Sequence, residues 1–142
     1  MIKFAERLKE VMNETNNNPQ SVAKYLGLNQ DANIYQWLEG NHTPKITNLI
    51  QLANLFQYSI DYLLGLTDND ERIFNENIPE FKNQFKKVLK VVQIKQKNIL
   101  EDKILSCGHL TTIRKNKYLL TENMIKLANY LGVSIDFLIG RI

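Results

Sequence analysis

One fifteen-residue phrase occurs twice in this chain, and the repetition limits what the chain can fold into more than any other feature. Residues Gln51 to Gly65 read QLANLFQYSIDYLLG and residues Lys126 to Gly140 read KLANYLGVSIDFLIG, identical at 8 of 15 positions with an offset of 75. Most of the differing positions exchange one apolar side chain for another. Each copy carries Leu-Ala-Asn in a helical run, then a Ser suited to cap a last short helix and a Gly suited to end it. A match of this length points to a duplicated helical unit.

With 142 residues there is room for two small units of about 65 residues each, a size that folds alone but only marginally. No apolar run approaches the ~20 residues that a membrane span requires, and no basic-then-apolar leader follows Met1. The single cysteine, Cys107, has no partner for an internal disulfide, so the cytoplasm is the expected location. The net charge of +3 conceals a strong asymmetry. Residues 1–66 carry a net −1, residues 67–80 a net −4 and residues 81–142 a net +8. A basic second half points to a polyanion, with nucleic acid first, whereas a near-neutral first half must find affinity by other means.

Along the chain, Phe4, Leu8 and Val11 recur at the i, i+4, i+7 spacing of a first helix from about Lys3 to Glu14. Asn18 before Pro19 is a helix start, with a side-chain acceptor at the N-cap and a proline where no donor is lost. Helix 2 turns Val22, Ala23 and Leu26 inward and stops at Gly27. Helix 3 is expected to bury Ile34, Trp37 and Leu38, to expose Asn33, Tyr35 and Gln36, and to stop at Gly40. Helix 4 buries Leu49, Leu52, Ala53 and Phe56, and Ser59 opens helix 5. Residues 67–80 read as an acidic linker. Phe81, Phe85 and Val88 then repeat Phe4, Leu8 and Val11 at an offset of 77, and the remaining helices follow in the same order.

In the first copy the elements Val22-Ala23, Leu26-Gly27, Trp37, Gly40, Pro44, Leu49, Leu52-Ala53, Ser59, Asp61, Leu63 and Gly65 fall in the order and spacing of a family motif. This resembles the Cro/CI-type helix-turn-helix family, also called XRE-like regulators, and the resemblance covers both copies. It implies an all-α chain of two tandem five-helix domains, residues 1–66 and 81–142, joined by the short acidic linker. It further implies that helix 3 enters the major groove with its first residues at base edges while helix 2 lies across the backbone. Carried over position by position, the first copy presents Gln30, Asp31, Asn33 and Gln36 to bases and Gln20, Asn41 and His42 to phosphates. The second presents Cys107, Gly108, His109, Thr111 and Thr112 to bases and Gln96, Lys97, Lys115 and Lys117 to phosphates.

Several departures from the motif bear on the site. The first copy has one extra residue between helices 2 and 3, and Asp31 near the groove face is repelled by phosphate, though it can accept from a cytosine amine. In the second copy Ile104 stands where Gly27 ends helix 2, and a β-branched residue tolerates a left-handed turn poorly, so that end must be built differently. Asn116 replaces Gly40, a milder change. The family often pairs an Arg on helix 1 with a Glu just after the Trp position; those places hold Met12 and Leu38 in one copy and Leu89 and Arg114 in the other, leaving Arg114 to face a phosphate or solvent.

The apolar stripes and Trp37 read as core. Lys82, Lys86, Lys87 and Lys90 are either a solvated face or a phosphate track continuous with Lys95 and Lys97. His42 and His109 with one cysteine give no metal-ligand spacing, and no nucleophile-base set or Gly-rich phosphate loop is present, so neither a metal, a cofactor nor an enzymatic activity is expected. The expectation is a sequence-specific double-stranded DNA-binding regulator, repressor-like, whose tandem domains act as a pseudo-dimer. The rival is an antirepressor or adaptor in which copy 1 binds a protein, or mediates self-association, and only copy 2 binds DNA.

Overall fold

The computed structural model describes residues 3–142. Among these the fold is all-α, with ten helices and no strand. The chain divides into two compact units, one ending at Phe74 and one beginning at Asn75.

The first unit contains α1 (Phe4–Glu14), α2 (Pro19–Leu26), α3 (Ala32–Glu39), α4 (Ile46–Phe56) and α5 (Ile60–Leu63). Helix α1 packs on α3 and α5, and α2 on α4. The apolar stripes meet in one core, where Leu8, Val22, Ile34, Leu49, Leu52 and Leu63 are all at 0% exposure. The start of α2 is a reciprocal cap: Asn18 Oδ1 accepts from Ser21 N at 2.8 Å and Ser21 Oγ accepts from Asn18 N at 3.0 Å. Gly27 and Gly40 end α2 and α3 in the left-handed conformation, at φ 74° and 80°. Leu38, expected inside, is only half-buried, because Ile34 and Trp37 already fill the narrow inner stripe of α3.

Residues beyond α5 turn back over the first unit. Arg72 Nη1 donates to the Phe56 carbonyl at 2.9 Å, and Ile73 N donates to the Gln57 carbonyl at 2.9 Å. Arg7, which lies outside the Phe4-Leu8-Val11 stripe of α1, is nevertheless 4% exposed and lies under Tyr62.

The second unit contains α6 (Phe81–Val92), α7 (Gln96–Glu101), α8 (Cys107–Arg114), α9 (Thr121–Leu131) and α10 (Ile135–Ile139). Helix α6 packs on α8 and α10. The end of α7 solves the problem posed by Ile104: the left-handed residue is Lys103, one place earlier, at φ 56°, and Ile104 N then donates to the Ile99 carbonyl at 3.0 Å. An unbranched side chain carries the strained turn and the β-branched one is spared it. Asn116 takes the left-handed position after α8, at φ 61°. Its Oδ1 accepts from Lys82 N at 3.2 Å, tying the end of α8 to the start of α6.

Candidate nucleic-acid interface

Helix α3 starts without a side-chain cap, and the backbone of Asp31 is already near helical at φ −94°, ψ 4°. Its carboxylate accepts from Gln20 Nε2 at 2.8 Å, and the same amide nitrogen lies 3.4 Å from the Tyr35 hydroxyl. Asp31 and Gln20, expected at a base and a phosphate respectively, are therefore joined to each other across α2 and α3. The pairing turns a negative charge toward a neighbouring helix. Gln30, Asn33 and Gln36 remain exposed, and their amides enter no hydrogen bond among the described residues. Asn41 Nδ2 donates to Glu39 Oε2 at 3.1 Å, which sets a carboxylate beside one expected phosphate contact; His42 is exposed.

Helix α8 is better capped. Ser106 Oγ accepts from His109 N at 3.2 Å, and Ser106 N donates to His109 Nδ1 at 3.1 Å. The other ring nitrogen, Nε2, lies 3.5 Å from Asn123 Nδ2 on α9. His109 is thus engaged inside its own unit, its ring forming half of a capping box with Ser106. Cys107, Gly108 and Thr111 are exposed and Thr112 is half-buried. Both threonine hydroxyls donate back one turn, Thr111 Oγ1 to the Cys107 carbonyl at 3.0 Å and Thr112 Oγ1 to the Gly108 carbonyl at 3.1 Å.

Positive charge gathers at the far end of α8. Arg114, Lys115 and Lys117 are exposed, and none of them makes an ion pair among the described residues. Cations there also suit the negative end of the helix dipole. Arg114 Nη2 donates to Gln96 Oε1 at 3.4 Å, and the two residues, with Lys82, Lys86, Leu110 and Ile113, line a cleft among α6, α7 and α8. Lys97 pairs with Glu101 at 3.7 Å with both side chains well exposed, a bond too weak to hold it from a phosphate. Lys82 pairs similarly with Glu80 at 3.5 Å.

Among the described residues no group of three or more His, Cys, Asp or Glu side chains is placed to hold a metal ion, and no helix is long and apolar enough to cross a membrane. The Gln20–Asp31 tie and the approach of Asn123 to His109 were not readable from spacing, since each depends on a partner set by helix packing.

No protein-family model matches the chain, and no solved structure matches it. A search of curated proteins finds similarity to an uncharacterized HTH-type transcriptional regulator, YobD, of Bacillus subtilis (strain 168). The two are 29% identical over 80 residues, which span 55% of this chain and 70% of the relative. The chain is thus similar to a helix-turn-helix regulator over 80 residues and all-helical among its described residues.

Proposed function

We propose that this protein is a DNA-binding transcriptional regulator whose two units each offer their third helix, α3 and α8, to the major groove. The observation that carries this reading is the cationic rim of Arg114, Lys115 and Lys117 at the end of α8, next to a helix face free of carboxylates. Phosphate neutralisation by such a rim supplies affinity without regard to sequence, and exposed side chains on the helix supply discrimination. The similarity to a helix-turn-helix regulator supports the same assignment.

In this reading the units are tandem helix-turn-helix domains acting as a pseudo-dimer on half-sites about 34 Å apart. Gln30, Asn33 and Gln36 read one half, and Cys107, Gly108, Thr111 and Thr112 read the other. Gln96, Lys97, Arg114, Lys115 and Lys117 hold phosphates. Because the two helices differ, the preferred duplex is asymmetric.

Selection of duplexes from a random pool by the full chain tests this directly. Enrichment of a single asymmetric sequence, bound in the nanomolar range with steep salt dependence, is the expected result. Equal affinity for selected and random duplexes at physiological salt excludes it. A second reading, in which the first unit binds a protein and only the second holds DNA, draws on the Gln20–Asp31 tie and the exposed Tyr25 and Tyr35 of α2 and α3. It predicts enrichment of one half-site alone.

A further inference from the structure

In the second unit Ile113 stands where the first has Trp37, and Arg114 stands where the first has Leu38. Trp37 and Ile113 are both buried, at 4% and 2% exposure. An indole is larger than the side chain of isoleucine, so the exchange leaves space in the second unit, and the exchange beside it adds a cation. The cleft among α6, α7 and α8 lies at this place, with a volume of about 330 Å³. That volume falls within the range of cavities that hold small molecules.

The cleft has an apolar floor and a cationic rim. Phe85, Leu110 and Ile113, each 2% exposed, form the floor, and the exposed Lys86 and Arg114 stand at the rim with Gln96. Neither Lys86 nor Arg114 makes an ion pair among the described residues, and no carboxylate is among those that line the cleft. Lys82, also at the cleft, is paired with Glu80 at 3.5 Å. The 3.4 Å contact of Arg114 with Gln96 uses one of the guanidinium N–H groups and leaves the others for a planar acceptor. An apolar floor beneath two unpaired cations matches an anion with an apolar body. A neutral apolar molecule leaves the cations unmet, and a bare inorganic anion leaves the floor uncovered.

We propose that this cleft binds a small organic carboxylate, its charge on Arg114 and Lys86 and its apolar body against Phe85, Leu110 and Ile113. Gln96 and Arg114 are also the residues assigned above to DNA phosphates. In consequence, and resting on that DNA-binding reading, carboxylate and duplex exclude one another, and the small molecule releases the second unit from its half-site.

The probe is octanoate, with about ten non-hydrogen atoms, titrated calorimetrically into the full chain without DNA; a Kd on the order of 0.1 mM is expected. Octanol, which lacks the charge, and acetate, which lacks the apolar body, bind at least about tenfold more weakly. Ile113→Trp, which restores the side chain of the first unit, removes octanoate binding. Lys86→Glu, at an exposed position where the fold tolerates the change, weakens it by about tenfold or more, and decides the matter if the tryptophan variant does not fold. With the selected duplex, octanoate at about ten times its own Kd weakens DNA binding about tenfold, and acetate at the same concentration does not. Ile113→Trp keeps its duplex affinity and loses the response. No octanoate binding by the native chain, equal binding of octanol, or undiminished binding in the variants overturns the site. Bound octanoate without effect on duplex affinity overturns the release. Failure to select any duplex removes the DNA-binding reading and the release with it, while the calorimetry without DNA still decides the site.

Discussion

The guanidinium carbon of Arg7 sits 3.8 Å from the centroid of the Tyr62 ring, and Arg7 Nη2 lies 3.1 Å from Asp68 Oδ1. Tyr62 in turn is 4.5 Å from Tyr58, and Arg72 covers Tyr58 at 4.2 Å. Two cations and two rings therefore fasten the residues after α5 onto the first unit. At the place of Arg7 in the second unit stands Gln84, also buried, whose Nε2 donates to the Phe137 carbonyl at 3.0 Å.

The two ends of the Arg7 contact are unequal: its side chain is 5% exposed, and that of Asp68 is 97% exposed. A carboxylate in water contributes little, while a desolvated cation over a ring contributes up to about 2 kcal/mol and its stem packs as well. Arg7→Ala is expected to destabilise the first unit by about 2 kcal/mol and Asp68→Ala by less than about 1 kcal/mol. Urea unfolding of both variants measures the difference; equal losses would place the energy in the ion pair instead.

The second unit holds a different buried charge. Arg141 Nη1 and Asp136 Oδ1 are 2.6 Å apart, each residue 1% exposed. Removing one partner strands the other in a low dielectric, so Arg141→Met should destabilise by about 3–5 kcal/mol. Adding Asp136→Asn should restore part of that loss, a non-additivity that a double-mutant cycle reads directly. Additive losses would mean that the two charges act separately.

These two ionic arrangements mark where the sequence was legible and where it was not. Helix order, the Asn18 and Ser59 caps and the left-handed Gly27, Gly40 and Asn116 all follow from local chemistry, because caps and turns are settled within four residues. The phrase Ser-Ile-Asp recurs unchanged, yet Asp136 is buried against Arg141 while Asp61 is half-buried, with Leu66 standing where the second unit has Arg141. Nothing within the repeated phrase distinguishes them; the partner lies just beyond it. At the candidate site the exposure of Asn33 and Gln36 followed from the apolar stripe of α3, whereas Gln30 and the cations ending α8 were placed there by the family resemblance. The Gln20–Asp31 tie and the approach of Asn123 to the His109 ring needed the helix packing.

Gly140 and Gly132 both adopt the left-handed conformation, at φ 88° and 70°, but only one is crowded. A Cβ on Gly140 would lie 2.6 Å from Pro79 Cγ and Cδ, whereas one on Gly132 meets nothing within 4 Å. Gly132→Ala is expected to cost about 1–2 kcal/mol, the strain of the backbone alone. Gly140→Ala adds steric overlap, for a total of about 3 kcal/mol or more. Thermal melting of the pair measures the contribution of the Pro79 contact.

Alkaline pH should loosen both units through their tyrosines. Burial, then the 2.9 Å hydrogen bond to Glu14, raises the Tyr58 pKa; the 2.6 Å bond to Asp102, then burial, raises that of Tyr130; burial alone raises that of Tyr118. A folded-state pKa above the unfolded value means that the stabilisation is whole below about pH 10 and is lost as pH rises through the folded values. Stability should therefore be insensitive to these groups at neutral pH and fall steeply in strong alkali, with tyrosinate absorbance appearing late. Tyr58→Phe should flatten the alkaline limb; an unchanged limb would show that this hydroxyl does not control it.

Phosphate grip and base choice should separate in the α8 and α3 variants. Lys115 and Lys117 are exposed without ion pairs among the described residues, so each is free to displace a counterion from DNA. Lys115→Ala/Lys117→Ala should lower the slope of log affinity against log salt by about 2, near 0.9 for each phosphate no longer neutralised, with the order of preferred sequences unchanged. Gln36→Ala should leave the slope alone and relax preference at one position by about 1–3 kcal/mol, because an amide can pair with both exposed atoms of adenine. If the lysine variant instead reorders the preferred sequences, those side chains reach base edges and the phosphate assignment at the end of α8 is wrong.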